Sequence, residues 1–190
     1  MESSGSSEKA ENQVSRFQET PAISLELIEA VDPKFDSAII DIGGGASRLV
    51  DVLVRAGYRD LSVLDVSENA IAMAKARTGE STAMVKWEPT RRYDLWHDRV
   101  AFHFLSEAAD RTAYVERLTS ALRPGGHAII GTFAVDGPER CSGLPVVRYD
   151  AELLSATLGN AFAFVETRRH GHRTPMGIVQ RFQFSIFRRQ

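Results

Sequence analysis

The sequence predicts an α/β fold with a doubly wound, mostly parallel sheet. In the first half of the chain, short apolar segments alternate with segments of helical periodicity in the order strand–helix–strand–helix, which is typical of a parallel sheet. The first apolar segment ends in three consecutive glycines, a tight turn of the kind that joins a strand to the helix after it. With 190 residues, of which 43% are hydrophobic and 25% are charged, the chain has the size and composition of one globular domain.

The beginning of the chain predicts a lead and then a helix. Residues 1–12 are rich in Ser, Glu and Gly, and we expect them to be disordered, so that a single domain occupies residues 13–190. From residue 21 to residue 31, apolar side chains recur at helical spacing after a proline, which predicts an N-terminal lid helix within residues 13–36. No signal-peptide core and no bilayer-spanning segment is present, so we expect a cytoplasmic protein without a membrane partner.

The other elements follow from apolar runs, which predict strands, and from helical periodicity between capping residues, which predicts helices. The first half has strands over residues 37–42, 61–65 and 84–87, a helix over residues 49–56 ended by Gly57, a helix from the cap Ser67 to residue 77, and a fourth strand that starts with residues 93–96. The second half has a helix capped by Ser106 and ended by Pro124, Gly125 and Gly126, a strand over residues 127–133, a loop over residues 136–145, a helix over residues 151–158 capped by Asp150, and strands over residues 162–168 and 179–187.

The connection between the third and fourth predicted strands is short. Only five residues, 88–92, separate Trp87 from Tyr93, whereas a crossover between parallel strands takes about a dozen residues. We therefore expect the third strand and its crossover to be truncated near residues 87–93.

The glycine turn predicts a bound ligand, because a helix N-terminus after such a turn lets a negative group approach the backbone closely. Two residues argue against a nicotinamide dinucleotide. Arg48 stands where the dinucleotide fingerprint requires its third glycine, and Asp41 would face the pyrophosphate with like charge. Asp41 suits an amine or a sulfonium instead, and Asp65, at the end of the second strand, suits ribose hydroxyls. A positive centre, a carboxylate and a ribose together describe S-adenosylmethionine.

Four segments resemble the successive motifs of the class I S-adenosylmethionine-dependent methyltransferases. They are residues 39–47 (IIDIGGGAS), 61–67 (LSVLDVS), 93–99 (YDLWHDR) and 122–126 (LRPGG). The resemblance covers residues 14–190 and implies a Rossmann-like sheet of seven strands with an antiparallel last strand. It also implies that Asp41, together with Gly43, Gly44 and Gly45, holds the methionine end of the cofactor.

The same resemblance assigns roles outside the turn. It implies that Asp65 binds the ribose, that Val66 lines the adenine, and that His97 lies where the fourth strand opens onto the cofactor. Family members carry an acidic residue at the end of a longer third strand, where it contacts the adenine amine, and only Glu88 can substitute for it here. We therefore expect an adenine pocket that is open on one side and a weakened affinity for the cofactor.

The acceptor is expected beside the cofactor, because the carboxyl ends of parallel strands meet at one edge of the sheet. His97 and Asp98 are the candidate catalytic residues, since a histidine is the natural base near neutral pH. An equal alternative is that His97 only hydrogen-bonds to Asp98. Methyl transfer does not require a base, because holding the nucleophile in line with the methyl group can supply about 7–11 kcal/mol of the activation barrier. The expected acceptor-binding residues are Arg99, Phe102, Pro145 and His172, the last on a loop before the final strand.

The class of acceptor depends on the segment after the fourth strand. It reads His97-Asp98-Arg99-Val100 and lacks the box that is typical of adenine and glutamine-amide methyltransferases. Together with residues 143–146 (GLPV), it resembles the thiopurine and related thiol methyltransferases, which implies a small, soft, thiol-like nucleophile. A protein lysine is the alternative acceptor, and a non-catalytic relative that binds S-adenosylmethionine is the alternative from another class.

Two other kinds of partner are not expected. The formal net charge is −2, and the pair Arg91-Arg92 does not make a basic patch, which argues against nucleic acid. Cys141 and the histidines show no recognised ligand spacing, so no metal site is expected. A small molecule, with a protein as the possible exception, is the predicted substrate.

Overall fold

The computed structural model describes residues 21–45, 47–79, 85–86, 91–174 and 177–190. Its helices are α1 (Ala22–Val31), α2 (Leu49–Arg55), α3 (Glu68–Thr78), α4 (Ala108–Ala121) and α5 (Ala151–Leu158), with a short 3₁₀ helix at Phe102–Phe104. Its strands are β1 (Ala38–Ile42), β2 (Asp60–Leu64), β3 (Val85–Lys86), β4 (Tyr93–Arg99), β5 (Leu122–Phe133), β6 (Arg140–Cys141), β7 (Leu144–Pro145), β8 (Phe162–Arg173) and β9 (Val179–Arg189). The predicted lead, residues 1–12, and Glu88 lie outside the described residues.

Seven strands form one sheet in the order β3-β2-β1-β4-β5-β9-β8. The strands from β3 to β5 pair in parallel, whereas β9 runs antiparallel to both of its neighbours, β5 and β8. The predicted fold class, with its antiparallel last strand, is therefore confirmed. Because β1, β2, β4 and β5 all point the same way, their carboxyl ends meet at one edge of the sheet, and the glycine turn lies there.

Helices cover both faces of the sheet and divide the core into two clusters. On one face, Leu27 of α1 and Leu53 of α2 pack with sheet residues such as Ile129. On the other face, Leu118 of α4 and Leu154 of α5 pack with another set of sheet residues. These leucines are almost fully buried, and each such side chain contributes on the order of 1.5–3 kcal/mol to the stability of the fold.

Of the predicted third strand, residues 84–87, the structure describes Val85 and Lys86. Val85 pairs in parallel with Leu61 of β2, so the described part of β3 is joined to the sheet. The crossover expected to be short includes residues 87–90, which fall outside the described parts of the chain.

Strand pairing determines where β4 and β8 end. β4 continues from its predicted start at residues 93–96 through Arg99, since Arg99 pairs with Gly131 of β5. β8 continues through Arg173, since Arg173 pairs with Val179, which places His172 in a strand instead of the predicted loop. Pairing between neighbouring strands extends each of them past the residue where its apolar pattern stops.

The capping predictions have mixed outcomes. Ser67 caps α3 by accepting a hydrogen bond from the backbone N–H of Ala70, and Asp150 caps α5 in the same way through Leu153. Ser106 is not a cap, because α4 begins one residue later, after Glu107, without a side-chain cap. None of the described helices is long and apolar enough to cross a lipid bilayer.

Candidate active site

The glycine turn after β1 has geometric reasons for two of its glycines. Gly43 has a φ of +70°, in the left-handed region that side chains disfavour, and its N–H donates to the carbonyl of Leu64 at the end of β2. At Gly44, a Cβ atom would lie 2.2 Å from Asp41 Oδ2, so no side chain fits there. The turn therefore packs its backbone directly against the Asp41 carboxylate.

Asp41 is a buried carboxylate with one oxygen satisfied and one left over. Only 3% of the residue is exposed, and Oδ1 lies 2.7 Å from Nδ1 of His97. Within the described residues, Oδ2 has no hydrogen-bond partner, although it is buried next to Gly44. A buried charged oxygen without a partner costs at least about 1–3 kcal/mol, so Oδ2 marks a place that an external cation would stabilise.

His97 is buried beneath α1 and does not open onto solvent. It is 1% exposed, and its second ring nitrogen, Nε2, lies 3.0 Å from Oγ of Ser24 on α1. Both ring nitrogens are therefore engaged by protein groups, and one of these contacts would have to break before His97 could accept a substrate proton. The alternative prediction, a hydrogen bond from His97 to Asp98, is corrected, since the partner is Asp41.

Asp98 lies on the other face of the sheet from His97, because successive strand residues point to opposite faces. It is fully buried; Oδ1 accepts hydrogen bonds from the backbone of Ala101 (2.8 Å) and Phe102 (3.2 Å), and Oδ2 accepts one from Tyr114 Oη (2.6 Å). Burial raises the pKa of Asp98 to about 6, although these hydrogen bonds favour the charged form. The two predicted catalytic residues thus do not share one site.

The pH dependence of stability should report this buried carboxyl. Asp98 has a pKa of about 6 in the folded protein against an ordinary 3.8, so the folded state binds the proton more tightly and stability falls as the pH rises through this interval. We expect the unfolding free energy of the wild type, relative to Asp98→Asn, to drop by about 2 kcal/mol between pH 4 and pH 7. Urea unfolding of both proteins across this range measures the difference, and a difference that is constant or grows with pH would contradict the assignment.

The structure gives three of the predicted acceptor-binding residues different surroundings. Phe102 is fully buried on the α4 face, where its ring centroid lies 4.8 Å from that of Tyr114, so it belongs to the core. His172 is buried on β8 with its ring 6.2 Å from that of Phe182. Pro145 is exposed on β7, in the hairpin that β6 and β7 form.

Arg99 is the predicted acceptor residue that the structure places at the edge. It shares a row of strand positions with Gly131 of β5 and Phe184 of β9, and a Cβ at Gly131 would come within 2.4 Å of the Phe184 ring, so that ring lies over the glycine. His170 of β8 lies next to this ring, at 6.4 Å. Its pKa is lowered, first by burial and then by the charge of Arg99, whereas Glu26 of α1 acts in the opposite direction. His170 is therefore neutral at pH 7.

The backbone just after Arg99 is strained. Val100 has a φ of +64°, a left-handed conformation that is a genuine outlier for a β-branched residue and costs on the order of 1–3 kcal/mol. The residue is buried, and its N–H donates to the carbonyl of Gly131 at 2.9 Å. Together with the hydrogen bonds that Asp98 accepts from the following turn, this contact holds the end of β4 in a sharp bend.

At the end of β2, Asp65 is partly exposed and faces the same edge. Its Oδ2 accepts a hydrogen bond from the N–H of Gly45 at 3.0 Å, and its Oδ1 accepts one from Ser67 at 2.9 Å. Each carboxylate oxygen can accept a second hydrogen bond, so both remain available to hydroxyl donors. The neighbouring Val66 is fully exposed. Among the described residues, no three His, Cys, Asp or Glu side chains converge as metal ligands would.

Comparison with known proteins agrees with this geometry. Residues 40–128, which contain the glycine turn, Asp65 and the end of β4, match the family described as a methyltransferase domain. Together with the fold, this match supports an S-adenosylmethionine-dependent methyltransferase. No curated protein matches its sequence.

Solved structures share the fold of this methyltransferase at low sequence identity. A protein linked to the conversion of a disulfide bond into a thioacetal group during echinomycin biosynthesis is 19% identical, with a TM-score of 0.71 over 90% of this chain and 82% of its own. TehB from Haemophilus influenzae is 18% identical, with a TM-score of 0.71 over 92% of this chain and 64% of its own. The 1,6-didemethyltoxoflavin-N1-methyltransferase from Burkholderia thailandensis, solved with S-adenosylhomocysteine, is 23% identical, with a TM-score of 0.67 over 90% of this chain and 77% of its own.

S-adenosylmethionine is the cofactor of this methyltransferase, as predicted. Two structural observations fit it: within the described residues the buried Oδ2 of Asp41 has no partner and suits a cation, and the carboxylate of Asp65 keeps acceptor capacity for hydroxyl groups. Ser24 is a residue that the sequence prediction missed. The sequence contained an indication that Ser24 has a buried partner, since this polar residue lies on the same face of α1 as the apolar Leu27 and Ile28.

Proposed function

We propose that this methyltransferase transfers the methyl group of S-adenosylmethionine to a small, soft nucleophile of the thiol class, as thiopurine and related thiol methyltransferases do. The cofactor supplies an electrophilic methyl group on its sulfonium sulfur. One observation carries the proposal: His97 and Asp98, the acid–base groups predicted on β4, are both held in buried hydrogen bonds, and the charged side chain that ends β4 is Arg99. An acceptor that ionises without a base suits such a site.

The cofactor end of the site is proposed to rest on two carboxylates. Oδ2 of Asp41 receives the ammonium group of the methionine moiety, because it is a buried carboxylate oxygen beside the glycine turn and lacks a partner among the described residues. Asp65 receives the ribose hydroxyls with the acceptor capacity left on its two oxygens. His97 is a positioning residue in this scheme, since it touches Asp41 and acts through it.

The acceptor end is proposed to lie along Arg99, Phe184 and His170. A free thiol has a pKa of about 8.5, which falls beside a positive charge, so a thiol bound near Arg99 loses its proton to solvent near neutral pH. The thiolate sulfur would then bond to the methyl carbon as the bond from that carbon to the sulfonium sulfur breaks, with S-adenosylhomocysteine as the leaving group. A lysine acceptor is disfavoured, because its ammonium group would meet the like charge of Arg99 and would have to be deprotonated first.

The structural neighbours support more than one kind of acceptor on this fold. The echinomycin protein is associated with sulfur chemistry, the conversion of a disulfide bond into a thioacetal group, whereas the Burkholderia enzyme is an N1-methyltransferase. The proposal of a thiol acceptor therefore rests on this chain's own residues. The most important are Arg99 and His97, whose two ring nitrogens are both in contact with protein groups.

A set of matched acceptors tests the proposal. Thiophenol, phenol and aniline share one ring and differ in the nucleophilic atom, and methyl-labelled S-adenosylmethionine reports transfer to each. We expect the enzyme to methylate thiophenol at least about tenfold faster than the other two, after correction for the uncatalysed reactions. Faster methylation of aniline or of a lysine peptide, or no methylation of any thiol, would contradict the proposed acceptor class.

Arg99 should govern the pH profile of thiol methylation. In Arg99→Met the positive charge is lost, so the pKa of the bound thiol rises and kcat/KM at pH 7 falls about tenfold, with recovery about one pH unit higher. Arg123→Met is the matched control, because Arg123 pairs with Asp94 at the opposite edge of the sheet. A loss that is the same at every pH would show that Arg99 does not act on ionisation of the acceptor.

A further inference from the structure

A buried chain of hydrogen bonds joins α1 to the glycine turn through Ser24, His97 and Asp41. We propose that Ser24 is a positioning residue for cofactor binding: through His97 it fixes the Asp41 carboxylate with Oδ2 turned toward the cofactor ammonium, and so couples the seating of α1 to recognition of that group. This inference rests on the proposed role of Asp41.

The three side chains form a directed chain. Ser24 is 0% exposed, His97 1% and Asp41 3%, and the two contacts measure 3.0 Å and 2.7 Å. A carboxylate can only accept, so Nδ1 of His97 donates to Asp41. In the neutral ring, Nε2 is then the acceptor, and the hydroxyl of Ser24 donates to it. The orientation of the carboxylate is thus determined by a residue of α1.

The position of Ser24 is not one that packing alone would select. It lies on the apolar face of α1, one turn before Leu27 and Ile28, which belong to the core. A hydroxyl buried there without a partner would cost about 1–3 kcal/mol, and the contact with His97 offsets that cost. An alanine at position 24 would pack on the same apolar face and would need no hydrogen-bond partner. The serine hydroxyl therefore acts through its contact with His97.

The far end of the chain is a buried oxygen that lacks a hydrogen-bond partner among the described residues. Oδ1 of Asp41 is engaged by His97, whereas Oδ2 has no partner in the described parts of the protein and lies against Gly44. Fixing one oxygen of a planar carboxylate fixes the other, so the Ser24–His97 contact holds Oδ2 ready for a cation before the ligand arrives. A positioned group of this kind improves affinity only for ligands that carry that cation.

Other contacts of α1 do not provide this anchoring. Its ion pair with β8, between Glu26 and Arg168, is exposed and measures 3.8 Å, and exposed pairs contribute little. The first residues of α1 have no side-chain cap. Among the contacts described for α1, the Ser24 hydroxyl is therefore the one that ties the helix directly to the binding residues.

Calorimetry with two ligands tests the inference. S-adenosylhomocysteine carries the ammonium group, and 5′-methylthioadenosine has the same thioether nucleoside without the amino-acid part. We expect Ser24→Ala to bind S-adenosylhomocysteine about tenfold more weakly and 5′-methylthioadenosine with unchanged affinity. Ser62→Ala is the matched control, since Ser62 is equally buried, on β2, and its hydroxyl has no hydrogen-bond partner in the described structure, so neither affinity should change.

Hydrogen exchange gives a second readout that a packing defect would not mimic. S-adenosylhomocysteine should slow amide exchange in α1 of the wild type but not of Ser24→Ala, and 5′-methylthioadenosine should do so in neither. Equal losses for both ligands, or no loss for S-adenosylhomocysteine, would overturn the inference. If Ser24→Ala does not fold, Ser24→Cys takes its place, because a thiol has a similar volume and is a weaker hydrogen-bond donor. A ratio of the affinities for S-adenosylhomocysteine and 5′-methylthioadenosine equal to that of the wild type would overturn the inference in this variant as well.

The outcomes separate this inference from the proposals it rests on. A wild-type protein that binds both ligands equally would refute the role of Asp41, whatever Ser24 does. The acceptor class is measured by methyl transfer to thiols and does not depend on either result.

Discussion

Asp41→Asn is expected to bind S-adenosylhomocysteine about 100-fold more weakly than the wild type, a loss on the order of 3 kcal/mol. The substitution keeps the shape of the side chain and removes the charge that faces the cofactor ammonium from Oδ2, which has no partner among the described residues. Since an amide can still contact His97, the fold should persist. Calorimetric titration measures the affinity, and circular dichroism checks the fold.

The matched control for this charge removal is Asp60→Asn. Asp60 lies at the amino end of β2, at the opposite edge of the sheet, where Arg91 pairs with it. It should leave the affinity for S-adenosylhomocysteine within about twofold of the wild type, since no ligand is expected near that edge. An Asp41→Asn protein that folds and binds as tightly as this control would remove Asp41 from the binding site.

Gly44→Ala is expected to abolish measurable cofactor binding, with a loss of more than about 100-fold. The new methyl group would lie 2.2 Å from Oδ2 and 2.5 Å from Cγ of Asp41, so the carboxylate or the turn has to move. Asp41 cannot rotate away freely, because His97 holds its other oxygen. We also expect a destabilisation of about 1–3 kcal/mol, as for other forced overpacking. Calorimetry and thermal unfolding measure the two effects.

Gly171→Ala serves as the control for adding a methyl group. Gly171 lies on β8 without a left-handed φ, and a Cβ there would meet Val179 at an ordinary 3.6 Å. This variant should unfold and bind like the wild type. If Gly44→Ala also unfolded and bound S-adenosylhomocysteine like the wild type, the turn would not pack closely against Asp41 as described.

The sequence was sufficient for the elements that local chemistry determines. The span of α5 and the caps Ser67 and Asp150 were predicted correctly, because capping residues and helical periodicity act within a few residues. The glycine turn was predicted for the same reason, since Asp41 and the glycines lie next to each other in the chain. The fold class followed from the order of these elements.

The site was predicted less well wherever it depends on strand ends. The prediction gave only the start of the fourth strand, residues 93–96, and placed His97 and Asp98 at one ligand. Once β4 continues to Arg99, the alternation of strand residues separates them onto opposite faces. His172 was misplaced for the same reason, since the pairing of β8 with β9, and not its apolar pattern, determines where β8 ends.

Contacts between distant segments were not predictable from one sequence. Ser24 contacts His97 although 73 positions of the chain separate them, and no pattern in the sequence around either residue predicts the contact. The burial of Phe102 against Tyr114 likewise depends on how α4 packs on the sheet. Each such pairing is decided by tertiary packing, for which a local pattern gives only the face of the helix or strand.

A crystal structure of the enzyme with S-adenosylhomocysteine tests the central claim most directly. The account predicts that the ammonium nitrogen of the ligand lies within hydrogen-bond distance, about 3 Å, of Asp41 Oδ2, with His97 still bonded to Oδ1 and to Ser24. It would be contradicted by an ammonium group that lies elsewhere while Oδ2 stays without a partner, or by His97 turned out of its contacts to face the ligand.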